Sequence, residues 1–286
     1  MMRALLTTLI ALLLLPPVFS QTSSTFLEVR RAEGTGNTTG HVATLTVKNI
    51  GNDAVDLAPA TYYIPSDLVY QSYVARIEEE IFVAGNAVVE VRLYGYCADV
   101  SKPPARAGKQ LTPFEQWVLI VPEGGTDAAK YALLPDRQRS AWPVGEVPRK
   151  SPFDIVASES ERVNWAGTRV PVPGTIDPDK QPAETAALLV AYLQLVEAGA
   201  TELRERGQLR TPFAPTPVKE YQSVVQHAYW MTLARLTGER YNKDDFAQKI
   251  RALTPAAAPE NREKITSGIN QLWAAFNAVC ANASIF

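Results

Sequence analysis

Histidine and cysteine are scarce in this chain: there are two of each in 286 residues. His41 and His227 are far apart in sequence, and a zinc site built on histidine needs several at short spacing, while a cysteine-rich one needs more than two thiols. No metal ligand set or cofactor motif is therefore expected. Glycine-rich phosphate loops, dinucleotide fingerprints and serine-elbow motifs are absent, and "DPDK" at 177–180 lacks the spacing of a calcium loop. The formal net charge is −2, with no basic cluster, which gives no electrostatic case for nucleic acid or anionic lipid as a partner. Long apolar runs are confined to the first residues. These exclusions favour a non-enzymatic module over an enzyme.

That apolar run has a specific layout. Arg3 precedes an uncharged stretch over 4–15, Pro16 and Pro17 follow, and Val18-Phe19-Ser20 places small or tolerated residues before Gln21. It reads as a signal peptide over 1–20, too short to span a bilayer of about 30 Å. The expectation is a secreted, periplasmic or extracellular protein without a transmembrane segment in the mature chain. Gln21 is not cysteine, so lipoprotein anchoring is not expected, and no C-terminal sorting segment is visible.

Period-two alternation dominates the next part. "VATLTVKNIGN" puts Ala43, Leu45 and Val47 on one face and ends in a turn at 49–52. "AVDLAPATYYIP" and "SYVARIEEEIFVAGN" are further strand candidates, the second closed by Ala84-Gly85-Asn86. "AVVEVRLYGYC" aligns Val89, Val91, Leu93, Gly95 and Cys97 on one face, which directs the Cys97 side chain into the core. Short strands broken by turn residues suggest an immunoglobulin-like antiparallel β-sandwich over 21–112. Residues 113–180 hold Pro-rich sequence, read as a connection with possible extra strands. From 181 to 286 the periodicity becomes helical and predicts a helical bundle, with Asn242 as an N-cap and Gly238 as a helix stop. The fold class is thus α+β.

Three functional expectations follow from particular residues. Cys97 on a strand and Cys280 on the last helix both face inward, and in an oxidising compartment they are first expected to pair. By loop entropy such a bridge contributes on the order of 5 kcal/mol. Dense aromatics in the β part and the Pro-rich stretch, above all Trp142, Trp165, Tyr94 and Tyr96, are candidate contacts for an extracellular protein or glycan ligand. Tyr62, Tyr63, Tyr70, Tyr73 and Trp117 belong to the same dense set, and for any one of these nine aromatics core packing is the competing role. Glu78-Glu79-Glu80 reads as a solvated turn or an edge strand. A hydrolase would need facing carboxylates that sequence does not display, and a Cys97–His227 dyad would need a third, orienting group. His41 is expected on an exposed loop and His227 on the polar side of its helix.

The third expectation comes from a resemblance. Tyr96-Cys97, followed by a loop with Pro103-Pro104 and Gly108, and "VQHAYW" over 225–230 together resemble the two motifs of bacterial thioester-domain surface adhesins. In that family the second motif is Thr-Gln-x-Ala-aliphatic-Trp. This chain matches at Gln226, Ala228 and Trp230 and departs at Val225 and Tyr229. The resemblance implies an internal thioester between Cys97 and Gln226, formed with loss of ammonia and opened by an external amine. Such a bond must be held in a water-poor pocket. On periodicity alone Gln226 falls at the edge of its helix's apolar stripe.

Overall fold

A computed structural model describes residues 26–67, 69–99, 102–122, 133, 139–142, 160–163, 169–172, 182–211, 214–237, 241–253 and 259–283. Residues 1–20, read above as a signal peptide, lie outside the described residues, as do Trp165 and Gly238. The class is α+β: a curled, mostly antiparallel sheet with four helices.

The alternating segments form seven strands: β1 (Leu27–Gly34), β2 (Thr39–Asn49), β3 (Val55–Leu57), β4 (Ala60–Ile64), β5 (Tyr73–Ile77), β6 (Ile81–Val83) and β7 (Val88–Cys97). After a single 3-10 turn at Phe114–Gln116 come β8 (Val118–Pro122) and β9 (Arg139–Trp142), with β10 (Ser160–Val163) and β11 (Arg169–Val172) as a separate pair. The main sheet runs β1-β2-β7-β5-β4-β8-β9, and only its last pair is parallel. β3 and β6 pair apart from it. Each of the two long strand candidates is thus divided between this small ladder and the main sheet. Ala58-Pro59 separates β3 from β4, and the exposed Glu78-Glu79-Glu80 separates β5 from β6. Proline lacks a ladder donor, and three adjacent like charges favour solvent, so both breaks follow from local chemistry.

Turns fall where the sequence places them. Asn49 Oδ1 accepts from the Gly51 amide (2.9 Å), and its Nδ2 donates to the carbonyls of Asp53 and Val83. The fully buried Asn49 amide thereby ties the β2 turn to β6. The Ala84-Gly85-Asn86 turn closes through Ala87 N to Ala84 O at 3.1 Å, with Asn86 at φ 60°.

The helices are α1 (Pro182–Glu205), α2 (Pro217–Thr237), α3 (Lys243–Leu253) and α4 (Pro259–Asn282). Asn242 caps α3: its Oδ1 accepts from the Asp245 amide at 2.9 Å. α2 packs on α1 and α4, and α1 also lies against β5, β8 and β9.

Strand alternation gives the sheet two different faces. Tyr62, Ile64, Tyr73, Leu93, Cys97 and Trp117 belong to a core within the β part. Tyr63, Val74, Tyr96, Val118 and Ile120 point the other way, into a core shared with the helices. A partly buried ion pair crosses the second face, from Arg76 on β5 to both carboxylate oxygens of Glu197 on α1, at 2.7 and 2.8 Å. The helices are thus bound to the sheet by apolar burial and by one charge-assisted contact.

Candidate functional site

β7 ends at Cys97, where the strand leaves the sheet beside α2. Its side chain is fully buried, as strand alternation requires. The thiol donates to the Asp99 carbonyl at 2.7 Å, and the Asp99 amide approaches the sulfur at 3.3 Å. Burial pushes the thiol pKa well above its ordinary value. The Asp99 amide opposes that rise, the Asp99 charge adds to it, and Trp230 and Lys102 oppose it. The Trp230 Nε1–H faces this region without a well-formed hydrogen bond among the described residues. Cys97 is accordingly a protonated thiol and not a free thiolate nucleophile.

Gln226 meets the same residue from α2. Its Oε1 accepts from the Cys97 amide at 2.8 Å, and its Nε2 donates to the Cys97 carbonyl at 2.9 Å. The side chain is only 2% exposed, so it lies inside the contact and not at the edge of the helix's apolar stripe. The periodicity misplaces it because α2 is covered on more than one side, by α1, by α4 and by the end of the sheet. A buried carboxamide left unbonded is costly, and here both its ends are satisfied by one backbone residue. The Cys97 amide also donates to the carbonyl of Thr38, the residue before β2, at 3.0 Å, which holds the strand end in place.

A glycine pair makes this strand end possible. Gly95 of β7 is paired with Gly40 of β2, beside a register shift between His41 and Ala43. A Cβ on Gly95 would lie 2.1 Å from the Val74 carbonyl oxygen of β5. Gly40 has φ +81°, and a Cβ there would come within 3.3 Å of the Gln222 side chain, one turn before Gln226.

The expected Cys97–Cys280 bridge is not formed: no disulfide joins the two residues. Cys97 sits in the β core and Cys280 in the helical one, where its sulfur lies 3.6 Å from the Ala228 carbonyl and 3.9 Å from Thr232 Oγ1. Inward orientation from two elements placed both thiols correctly in a core, but two cores exist.

The histidines also differ from expectation. His41 lies within β2, half-buried, with Nε2 3.0 Å from Thr44 Oγ1 and its ring 5.6 Å from Tyr94. His227 is packed among aromatics and not on a polar helix side: it stacks on Phe276 at 4.8 Å and meets Phe246 and Trp230 edge-on. Its Nδ1 bonds the Tyr241 hydroxyl. Burial, with a contribution from the Lys249 charge, lowers its pKa to about 3. A Cys97–His227 dyad has no support in these contacts, since the thiol is bonded to Asp99 and the imidazole to Tyr241.

This histidine gives a pH dependence of defined sign. An unfolded chain takes up the proton near pH 6.5, whereas the folded chain resists it down to about 3. His227 therefore costs no stability above that window and removes stability as pH falls through it. Urea midpoints measured between pH 7 and 4 should fall less steeply for His227→Phe than for the parent. Parallel slopes would mean that the imidazole is solvated.

Of the candidate ligand aromatics, Tyr96 is buried at 6% exposure in the core shared with the helices, which removes it from any external surface. Tyr94 is half-buried against His41. Trp142 ends β9, and its side chain lies outside the described residues, as does all of Trp165. Tyr62, Tyr63, Tyr70, Tyr73 and Trp117 are core residues.

A cavity of about 710 Å³ opens beside Gln226, between the start of β2, α2, α3 and α4. Sequence reasoning missed it, because its wall gathers residues from four elements. Comparison of the chain with family models, curated proteins and solved structures finds no match. The functional reading therefore rests on the site's own chemistry.

Proposed function

We propose that the protein is a covalent-binding module in which Cys97 and Gln226 form an internal thioester, as the resemblance to thioester-domain surface adhesins implies. The observation that carries this reading is the reciprocal hydrogen-bonded contact between the Gln226 carboxamide and the Cys97 backbone. Two residues 129 positions apart are brought together in a buried setting, and they are the two that the chemistry requires.

Both hydrogen bonds run to the Cys97 backbone and set the carboxamide beside the residue that carries the thiol. The Cys97 amide hydrogen bond to Oε1 polarises the carbonyl and stabilises negative charge that develops there on attack. The sulfur forms a bond to Cδ of Gln226, the C–N bond breaks, and the thiol proton leaves with the nitrogen as ammonia. Atoms balance without an oxidant or a metal. Gln226 and Cys97 are both buried, which limits the access of bulk water to the acyl carbon. The expected setting is outside the cytoplasm, with an extracellular protein as the amine donor. We read β3 and β6 as the second layer of an immunoglobulin-like arrangement, and α1 to α4 as a small bundle behind the sheet.

Intact mass tests the reading. The protein should weigh about 17 Da less than its composition with both cysteines reduced, and methylamine should restore reactivity-dependent mass by adding about 31 Da at Gln226 while freeing Cys97. A mass equal to the composition, with no methylamine adduct, would sink it.

A second reading has one observation in its favour. The cavity beside α2 is compatible with a module that binds its ligand reversibly, with no covalent step. A mass equal to the composition would leave that alternative standing.

A further inference from the structure

We infer that the cavity beside Gln226 is a nucleophile-selecting pocket, built for a primary amine carried on an aryl or alkyl body. The inference rests on the thioester reading and adds the chemical class of the amine. Gln226 itself lines the cavity, so an occupant is delivered to the acyl carbon that the proposed bond would create.

Its lining is mostly apolar. Trp230, Tyr241, Phe246, Ile250, Ile265 and Leu272 supply the wall from α2, the segment before α3, α3 and α4. A volume of about 710 Å³ lies within the range of small-molecule sites and far exceeds what methylamine fills. An aliphatic or aromatic body gains by leaving water for such a wall.

Four buried polar atoms of the same lining have no hydrogen-bond partner among the described residues, the Trp230 Nε1–H donor and three oxygens. The oxygens are Thr39 Oγ1, Thr211 Oγ1 and Gln222 Oε1. Buried polar atoms without partners are uncommon in folded proteins and call for an explanation. All three oxygens accept hydrogen bonds, and an amine N–H supplies donors. They belong to different elements, the start of β2, the segment before α2, and α2, so no single strained turn accounts for them.

The charges at the cavity decide which amine fits. Lys219 and Lys249 line it, the latter with its pKa lowered by burial despite the opposing charge of Asp245. His227 is held neutral, and among the described residues no carboxylate is in the lining. A second ammonium on the ligand is disfavoured here, whereas a monoamine reacting as the free base is not. On attack the amine nitrogen bonds Cδ of Gln226, the C–S bond breaks, and the amine proton passes to the Cys97 sulfur. The product is an amide and a free thiol.

Competing amines test this. Protein whose intact mass shows the missing ammonia is reacted with methylamine, 2-phenylethylamine, octylamine and putrescine, and adduct formation is followed by mass spectrometry. 2-Phenylethylamine and octylamine should react roughly tenfold or more faster than methylamine at equal free-base concentration, with saturation, and putrescine slower than either. Filling the cavity from its loop side with Ala214→Trp, or placing a charge in its wall with Ile250→Arg, should bring the ratio toward one. Equal rates for all four amines in the parent protein, with the ammonia loss present, would overturn the pocket and leave the thioester intact. A full mass with no adduct from any amine would overturn both.

Discussion

Gln226→Ala should abolish covalent capture of amines altogether while leaving a folded protein. The substitution removes the carboxamide carbon that becomes the acyl group, so the intact mass should rise to that of the full composition, with no adduct from methylamine. Cys97→Ala should give the same result from the other side of the bond, since neither residue forms a thioester alone. The stability cost of Gln226→Ala differs from its effect on reactivity. Ammonia loss has already removed the Nε2 donor, so the substitution takes away the Oε1 contact, and the Cys97 amide keeps Thr38 as an acceptor. With a void opened in a buried contact, the loss is about 2 kcal/mol in urea unfolding. Gln226→Glu separates the two effects: it keeps the shape but offers a carboxylate, a poor acyl donor to a thiol. Methylamine incorporated at an unchanged rate into Gln226→Ala would show that the electrophile lies elsewhere.

Gly95→Ala should be among the most damaging single substitutions in the β part. The added Cβ would stand 2.1 Å from the Val74 carbonyl oxygen and 2.6 Å from Ala75 Cα, both backbone atoms of β5. Backbone in a central ladder has no rotamer with which to yield, so β7 or β5 must shift. We expect a loss of about 3 kcal/mol or more, read as a lower urea midpoint at unchanged slope. Because Cys97 lies two residues further along the same strand, the shift should also misplace its backbone against Gln226 and slow adduct formation by methylamine. Stability within about 0.5 kcal/mol of the parent would mean that β5 and β7 are not in the register described.

Much of the local structure is legible from residue order. Alternation from Val88 to Cys97 places Cys97 inward, because a strand's side-chain period is two and the residues on its face are apolar. The Asn49 and Ala84-Gly85-Asn86 turns and the Asn242 cap follow from side chains that bond nearby backbone. Other features are not legible in that way. The break between β5 and β6 is marked by Glu78-Glu79-Glu80, but the assignment of the two strands to different ladders depends on partners distant in sequence. His227 and Gln226 were placed toward the polar side and the stripe edge on a single-face picture of α2. That picture fails when a helix is enclosed by two other helices and a sheet end.

The sequence by itself determined the class of the elements outside 113–180, the inward direction of both cysteines, and the residue types available for chemistry. With so few histidines and thiols, it also narrowed the candidates to a handful. Which of those residues meet was decided only by tertiary structure. Two cores, one on each sheet face, keep Cys97 and Cys280 apart, and the approach of α2 to the end of β7 sets Gln226 on Cys97. The physical reason is range: periodicity and capping act over one or two turns, whereas the pairing of a strand end with a helix face is fixed by which apolar surfaces the whole chain buries together.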